Sequence, residues 1–364
     1  MRKLFILLAL AAALPAAAES WKFAVAGDSR NCGDVVMPGI AAGVKADKAA
    51  FYWHLGDFRA LYKFDEDMAK VATAPLTITG YQSAAWPDFI KNQVGPFSPL
   101  PVYLGIGNHE TINKTRTDYV AQFADWLVQP PIVSDRIDRD DHMVRPYFRW
   151  KKGGVDFISL DNATGEFDGG QLSWITKVLA SDATDADVKS IVLGMHAALP
   201  HSLGCDHSMN ESAAGEYSGD VVYKQLLDFR AKTKKNVYVL ASHSHFLMRD
   251  VYDSPYWRAH GGVIPGIIIG TAGAIRYRLP DTAAGFPAER AQTDVYGYLL
   301  ATVADDGAIT FDFKKLDRSA VPADVVTRYT GEFVDWCFME NLDKSDRTSE
   351  PCARADAPCG PTRH

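Results

Sequence analysis

Gly105-Ile106-Gly107-Asn108-His109-Glu110 follows a short apolar run, Pro101 to Leu104, that reads as a buried strand bounded by Pro and Gly. Polar residues able to hold a ligand therefore sit where a strand gives way to a loop. In open α/β sheets that edge is where ligands bind, because loops converge there on a rigid base. The same construction recurs at Phe23 to Asp28, Phe51 to Asp57, Ile191 to His196 and Val237 to His243-Ser244-His245. A lone Asp after a strand is ordinarily a turn residue or a helix cap. Strand ends carrying Asp28, Asp57, Asn108 with His109, His196, and His243 with His245 make a pattern of another kind. Carboxylate, amide and imidazole donors without thiolate suit Mn, Fe, Zn or similar divalent or trivalent ions, and this set is large enough for two.

In this order the motifs resemble those of the calcineurin-like metallophosphoesterases, which include the purple acid phosphatases, over Phe23 to Leu316. The resemblance implies an α/β fold, a sandwich of two mixed β-sheets flanked by helices, and strands alternating with helices agree with it. It also implies a dinuclear site with Asp57 as the bridging carboxylate. Asp28 and His245 would then serve one ion, and Asn108, His196 and His243 the other. The implied reaction is hydrolysis of a small phosphorylated substrate by a hydroxide held between two ions about 4 Å apart. His109 would protonate the leaving oxygen and Glu110 would orient its ring. Glu110 resembles the acid phosphatase form of the motif, which favours a phosphomonoesterase. A phosphodiesterase, or a non-catalytic metal- or phosphate-binding protein, is the alternative.

Two motifs depart from the family pattern. The last reads Ser242-His243-Ser244-His245 for Gly-His-x-His, which keeps both imidazoles. The first reads Asp28-Ser29-Arg30 where the family has Asp-x-His, or in purple acid phosphatases Gly-Asp-x-Gly with a Tyr from the second motif. Tyr62 lies two residues too late to match that Tyr. A guanidinium has no lone pair to offer a metal. The first ion is then expected to bind more weakly than the second, with Arg30 gripping a phosphate instead. The plainer alternative pairs Arg30 with a carboxylate such as Asp34.

Residues 1–18 combine Arg2-Lys3, an apolar run from Leu4 to Leu14 and the small residues Ala16 to Ala18, the form of a secretory signal peptide. That run is too short to span a bilayer, and no later stretch reaches spanning length, so no membrane span and a periplasmic or secreted location are expected. Losing two cations takes the formal net charge from -7 to -9. An acidic chain without a basic stripe is a poor partner for nucleic acid. The phosphoesterase domain is placed at 19–316, and 317–364 forms a C-terminal tail with cysteines and a helix from Pro322 to Trp336. In an oxidising compartment cysteines pair. Cys32 with Cys205, and Cys337 with Cys352 or Cys359, are the expected bridges. Helices are expected at Val35 to Ala49, Asp118 to Val128, Gly170 to Ala180 and Tyr217 to Lys232, a loop at Ser134 to Arg145, and a hairpin at Asp305-Asp306-Gly307. Asp161 reads as a cap, and His201 and His207 sit in a loop that either touches substrate or is simply polar. Arg59, Arg116, Arg276 and Arg278 are candidates to meet a substrate anion.

Overall fold

The computed structural model describes residues 20–112, 146–205 and 207–344, with a few positions between 117 and 132. The leader at 1–18, the loop at Ser134 to Arg145, most of the helix expected at Asp118 to Val128, Arg116, and Cys352 and Cys359 lie outside the described residues. The strands are β1 (Trp21–Ala26), β2 (Tyr52–His54), β3 (Val102–Leu104), β4 (Phe148–Lys152), β5 (Val155–Ser159), β6 (Ser190–Met195), β7 (Asn236–Ala241), β8 (Leu247–Arg249), β9 (Gly266–Ile269), β10 (Ala291–Gln292), β11 (Gly297–Val303) and β12 (Ile309–Lys315). They form two sheets, in the orders β12-β11-β1-β2-β3 and β10-β8-β9-β7-β6-β5-β4. Within the first, β1, β2 and β3 run parallel, and within the second so do β5, β6, β7 and β9. The remaining pairings are antiparallel. The expected architecture of two mixed sheets with flanking helices is what the chain builds.

Strand alternation sends neighbouring residues to opposite faces, and here both faces of the central strands are covered, so they read as nearly unbroken apolar runs. Phe157, Val192 and Leu240 enter the core between the sheets, while their neighbours Ile158, Ile191, Leu193 and Val239 enter a second core beneath helices Gly169–Thr184 and Ala213–Thr233. The inter-sheet core is aromatic. Tyr103 stacks on Trp150 at 4.0 Å between ring centres, Trp53 meets Trp150 edge-on at 4.9 Å, and Phe51 meets Phe157 at 5.1 Å. Edge-to-face and offset contacts of this kind add about 0.5–1.5 kcal/mol each beyond the area they bury. They lock the two sheets in one relative position, and so set their loop ends against each other.

The hairpin forms as read, with Val303 opposite Ile309 and Gly307 at φ +84°. Helix Ala213–Thr233 starts earlier than the sequence pattern suggests because Ser212 accepts the Gly215 N–H at 2.9 Å and caps it. The helix expected from Pro322 to Trp336 is two, Ala323–Tyr329 and Gly331–Met339, broken at Thr330, whose φ is +70°. Val325, Tyr329, Val334 and Cys337 belong to the same core as β1 and β11. No helix among the described residues is long and apolar enough to cross a membrane.

The cysteine pairing departs from expectation. Cys32 bonds Cys337 across 305 residues, with Cα atoms 6.0 Å apart, a span a disulfide bridges directly. The tail helix folds back over the N-terminus of helix Gly33–Ala46, which brings Cys337 rather than Cys205 to Cys32. Arg276 fixes that helix's C-terminal end, donating to the carbonyls of Cys337, Phe338 and Asn341. It is therefore spent on structure and does not meet substrate.

His54 on β2 gives the fold an acid sensitivity. Its Nδ1 accepts the Gly56 N–H at 3.1 Å, its Nε2 lies 2.9 Å from Ser29 Oγ, and burial pushes its pKa down to about 3. In the unfolded chain the ring protonates near its ordinary 6.5. Between those values only the unfolded chain takes the proton, so stability falls as pH falls, by about 1.4 kcal/mol per pH unit for this group. Urea melts at pH 7 and pH 5 should show metal-free parent losing about 2 kcal/mol more than His54→Gln. An equal loss in both proteins would remove His54 from the account.

Candidate metal centre

The C-terminal ends of β1, β2, β3, β6 and β7 bring Asp28, Asp57, Asn108, His196, His243 and His245 to one edge of the two packed sheets. Asp28, Asp57 and His243 hold left-handed backbone, at φ 61°, 60° and 66°. Such angles cost a non-glycine residue on the order of 1–2 kcal/mol, which the fixed strand beneath must supply. The second and third motifs interlock through their glycines. Gly56 has φ +98°, and a Cβ on it would lie 2.4 Å from Gly107 N; a Cβ on Gly107 would lie 2.2 Å from Asp57 Oδ1. Any side chain at either place would push Asp57 out of the site.

Three groups of donors result among the described residues: His207 and Glu211 with His243 make a more exposed one, and the other two overlap at Asp57. One atom each of Asp57, His196 and His243 lie within 4.8 Å of one another, and so do one atom each of Asp28, Asp57 and His245. Asp57 belongs to both. In the first group, His196 Nε2 has Asn108 Oδ1 at 2.9 Å, His243 Nδ1 at 2.9 Å and Asp57 Oδ1 at 3.3 Å. His196 Nδ1 faces the Leu55 carbonyl and Ser242 Oγ, both at 3.1 Å, and Ser242 Oγ donates to that same carbonyl, so Nδ1 keeps its proton and Nε2 is the nitrogen that can exchange a proton for a metal ion. A proton satisfies one of these contacts; a cation satisfies all of them. Metal–ligand bonds of about 2.1 Å put neighbouring donors roughly 3.0–3.4 Å apart, the spacing seen here. Burial opposes charge on His196, yet Asp57 beside it pushes its pKa up to about 9, a sign that the cluster draws in positive charge.

The second group is arranged alike but filled differently. His245 Nε2 lies 3.3 Å from Asp28 Oδ1, and His245 Nδ1 donates to the Ile275 carbonyl at 2.6 Å. Arg30, 5% exposed, places Nη2 2.9 Å from His245 Nε2 and Nε 3.6 Å from Asp57 Oδ2. Tyr277 stacks on His245 at 4.0 Å and takes a longer bond, 3.4 Å, from Arg30 Nη2. Burial disfavours the guanidinium, but Tyr277, Asp57 and Asp28 raise its pKa above the ordinary value. Against the upward push of burial, His109, His196 and Arg30 hold Asp57 well below the usual carboxylate range. Among the described residues, Asp28 Oδ1 and Asp57 Oδ2 are buried with no hydrogen-bond partner, as befits oxygens placed for cations. The residues fit a metal ion at Asp57, Asn108, His196 and His243.

No protein-family model and no curated protein sequence matches the chain. Among solved structures, a purple acid phosphatase from yellow lupin (Lupinus luteus) seeds superposes with a TM-score of 0.55 and 16% identity, over 82% of this chain and 52% of its own. The fold is metallophosphoesterase-like. This chain spans about half the length of that phosphatase, and at such identity the likeness is one of fold. A structure of PhoD (TM-score 0.49, 14% identity, 84% of this chain and 73% of that one) and a Staphylococcus aureus protein described as a 5'-nucleotidase (0.48, 14%, 87% and 59%) align more loosely and add nothing to it.

On this metallophosphoesterase-like scaffold His109 reaches the centre and Glu110 does not orient it. His109 Nδ1 donates to the Ala60 carbonyl at 2.7 Å, leaving Nε2 3.6 Å from Asp57 Oδ2, with Tyr62 packed on its ring at 5.1 Å. Glu110 instead accepts the N–H groups of Asp57, Phe58 and Gly107 at 2.7–2.8 Å, tying the second motif to the third. It is a positioning residue for Asp57. Glu110→Gln keeps the shape but turns an amide donor toward those N–H groups. It should lower metal affinity and kcat by about 10–100-fold, the usual cost of disturbing a ligand's support. Unchanged affinity in equilibrium dialysis would show that the clamp is dispensable.

The other expectations divide. Arg59 is wholly buried against Asp34 at 2.5 Å and Asp67 at 2.9 Å, with Asp88 also in contact, so it cannot meet substrate. Asp34 is thereby taken, also by Tyr329, and is not the partner of Arg30. Arg278 is exposed. Asp161 Oδ1 accepts the Ala163 N–H in a local turn, and the cap of the helix that follows is Asp168 instead. Its neighbour Asn162, which no motif marks out, accepts the N–H groups of His196 and Ala197 and holds the β6 loop. His201 stacks on Tyr256, away from the centre, whereas His207 lies 4.8 Å from the His243 ring and lines the rim with Glu211.

Proposed function

We propose that the chain is an exported, metal-dependent phosphoric ester hydrolase that prefers phosphomonoesters of small molecules. The observation that carries this is the convergence of Asp57, Asn108, His196 and His243 donor atoms beside a carboxylate oxygen that has no hydrogen-bond partner among the described residues, on a phosphatase-like fold. A divalent or trivalent ion bound there would polarise a phosphate oxygen and make a bound water acidic enough to attack at neutral pH.

The chain's own groups supply the rest. Arg30 sets a permanent positive charge against Asp28 and Asp57, where a phosphate's negative oxygens would come to lie. His109 directs Nε2 at the same space, fixed by its Nδ1 bond to Ala60. Burial pushes its pKa down to about 4, so the resting ring is neutral, and an arriving phosphate dianion is what draws a proton onto Nε2 for delivery to the leaving oxygen. Export is supported by the Cys32–Cys337 bridge, since disulfides persist in oxidising compartments.

Turnover of p-nitrophenyl phosphate against bis-p-nitrophenyl phosphate in metal-reconstituted protein tests the reading. Faster monoester hydrolysis is expected. Faster diester hydrolysis would make the chain a phosphodiesterase, and tight metal binding with no turnover of either would make it a binding protein.

A further inference from the structure

We propose that the guanidinium of Arg30 takes the place of a second metal ion, so that the centre works with one ion and one fixed organic cation. The ion is held by Asp57, Asn108, His196 and His243; Arg30 serves Asp28, Asp57 and His245. This rests on reading the group of Asp57, Asn108, His196 and His243 as a metal site, and where a weakly bound ion was expected beside Asp28 and His245 it places none.

A single lone pair decides between an ion and the guanidinium. A neutral imidazole has one nitrogen that carries a proton and one that accepts. His245 Nδ1 faces the Ile275 carbonyl at 2.6 Å, and a carbonyl can only accept, so that nitrogen carries the proton. The acceptor is then Nε2, and its one lone pair receives an N–H of Arg30 Nη2 at 2.9 Å. A ligated ion would need the same lone pair along the same direction. The two are mutually exclusive.

Arg30 cannot readily withdraw to make room. It is 5% exposed, and the other buried carboxylates nearby are taken: Asp34, Asp65 and Asp67 all surround Arg59. Leaving the centre would strand a guanidinium without a carboxylate and leave Asp28 Oδ1, which has no hydrogen-bond partner among the described residues, facing His245 Nε2 at 3.3 Å with no cation near. Tyr277, stacked on His245 and bonded to Arg30, closes the outer side. One positive charge from Arg30 therefore meets part of the demand of Asp28 and Asp57. Arg30 Nη1, which makes no hydrogen bond among the described residues, is left to donate to a phosphate oxygen.

Metal content decides it without recourse to activity. Parent protein, Arg30→His, His245→Ala and His243→Ala are each saturated with Mn²⁺ or Zn²⁺, desalted, and their bound metal counted by plasma mass spectrometry. One ion per chain is expected in the parent, two in Arg30→His, one still in His245→Ala, and none in His243→Ala. Two ions in the parent, with one lost in His245→Ala, would overturn the inference. Should Arg30→His fail to fold, the comparison of parent with His245→Ala carries the test alone. A parent that holds one ion but hydrolyses no phosphoester would leave this inference standing and remove the proposed function. Two ions with full turnover would do the reverse.

Discussion

Asp57→Asn should lose its metal and at least about a thousandfold in kcat/KM, the several kcal/mol of charge stabilisation that a bound ion supplies. Asp57 Oδ1 lies 3.3 Å from His196 Nε2 and accepts the His109 N–H at 3.0 Å, while Oδ2 faces Arg30 Nε and His109 Nε2, each at 3.6 Å. An amide keeps that shape without the charge. Whichever way it turns, its NH₂ points either at the His109 N–H or at the Arg30 Nε–H, one donor against another. Asp161→Asn is the matched control, because its Oδ1 accepts the Ala163 N–H, which an amide oxygen would accept equally, and it stands outside the candidate donor groups. Equal losses at the two positions, in metal content and in rate, would count against Asp57 as the shared carboxylate.

The second large effect is selective. His109→Asn should slow hydrolysis of an alkyl phosphate by about 10²–10⁴-fold, the range for a positioned proton donor, and that of a nitrophenyl phosphate far less. An acidic phenol departs as its anion; an alkoxide does not. The resting ring is neutral because burial holds its pKa near 4, so the protonated form becomes scarcer as pH rises. The parent's alkyl phosphatase rate should therefore decline toward high pH along a limb that His109→Asn lacks. Equal loss on both substrates, with the pH profile unchanged, would assign His109 to binding or to the shape of the site.

What was legible in the chain was whatever is written locally. Each candidate follows the end of a strand, with His243 and His245 sharing that of β7, so Asp28, Asp57, Asn108, His196, His243 and His245 could be picked out by the switch from apolar run to polar loop. The α/β architecture followed from the same alternation, and the hairpin from Asp306-Gly307. Pairings between distant segments were hidden. Arg30 meets His245 across 215 residues and Cys32 meets Cys337 across 305, and no periodicity in either segment encodes its partner. Glu110 shows the limit most plainly. Its neighbour in sequence is His109, yet its partners in space are the backbone N–H groups of the second motif, because the loops after β2 and β3 interlock at Gly56 and Gly107. The aromatic layer that sets the sheets in register was visible only as composition until Trp150 and Phe157 were seen facing Phe51, Trp53 and Tyr103.

The most direct test of the account is to locate the metal itself. Crystals grown with Mn²⁺ or Zn²⁺, with data collected at the metal's absorption edge, should give an anomalous peak about 2.0–2.2 Å from donor atoms of Asp57, Asn108, His196 and His243 together. No peak among those four atoms, or a peak held by other residues while they stay apart, would contradict the central claim.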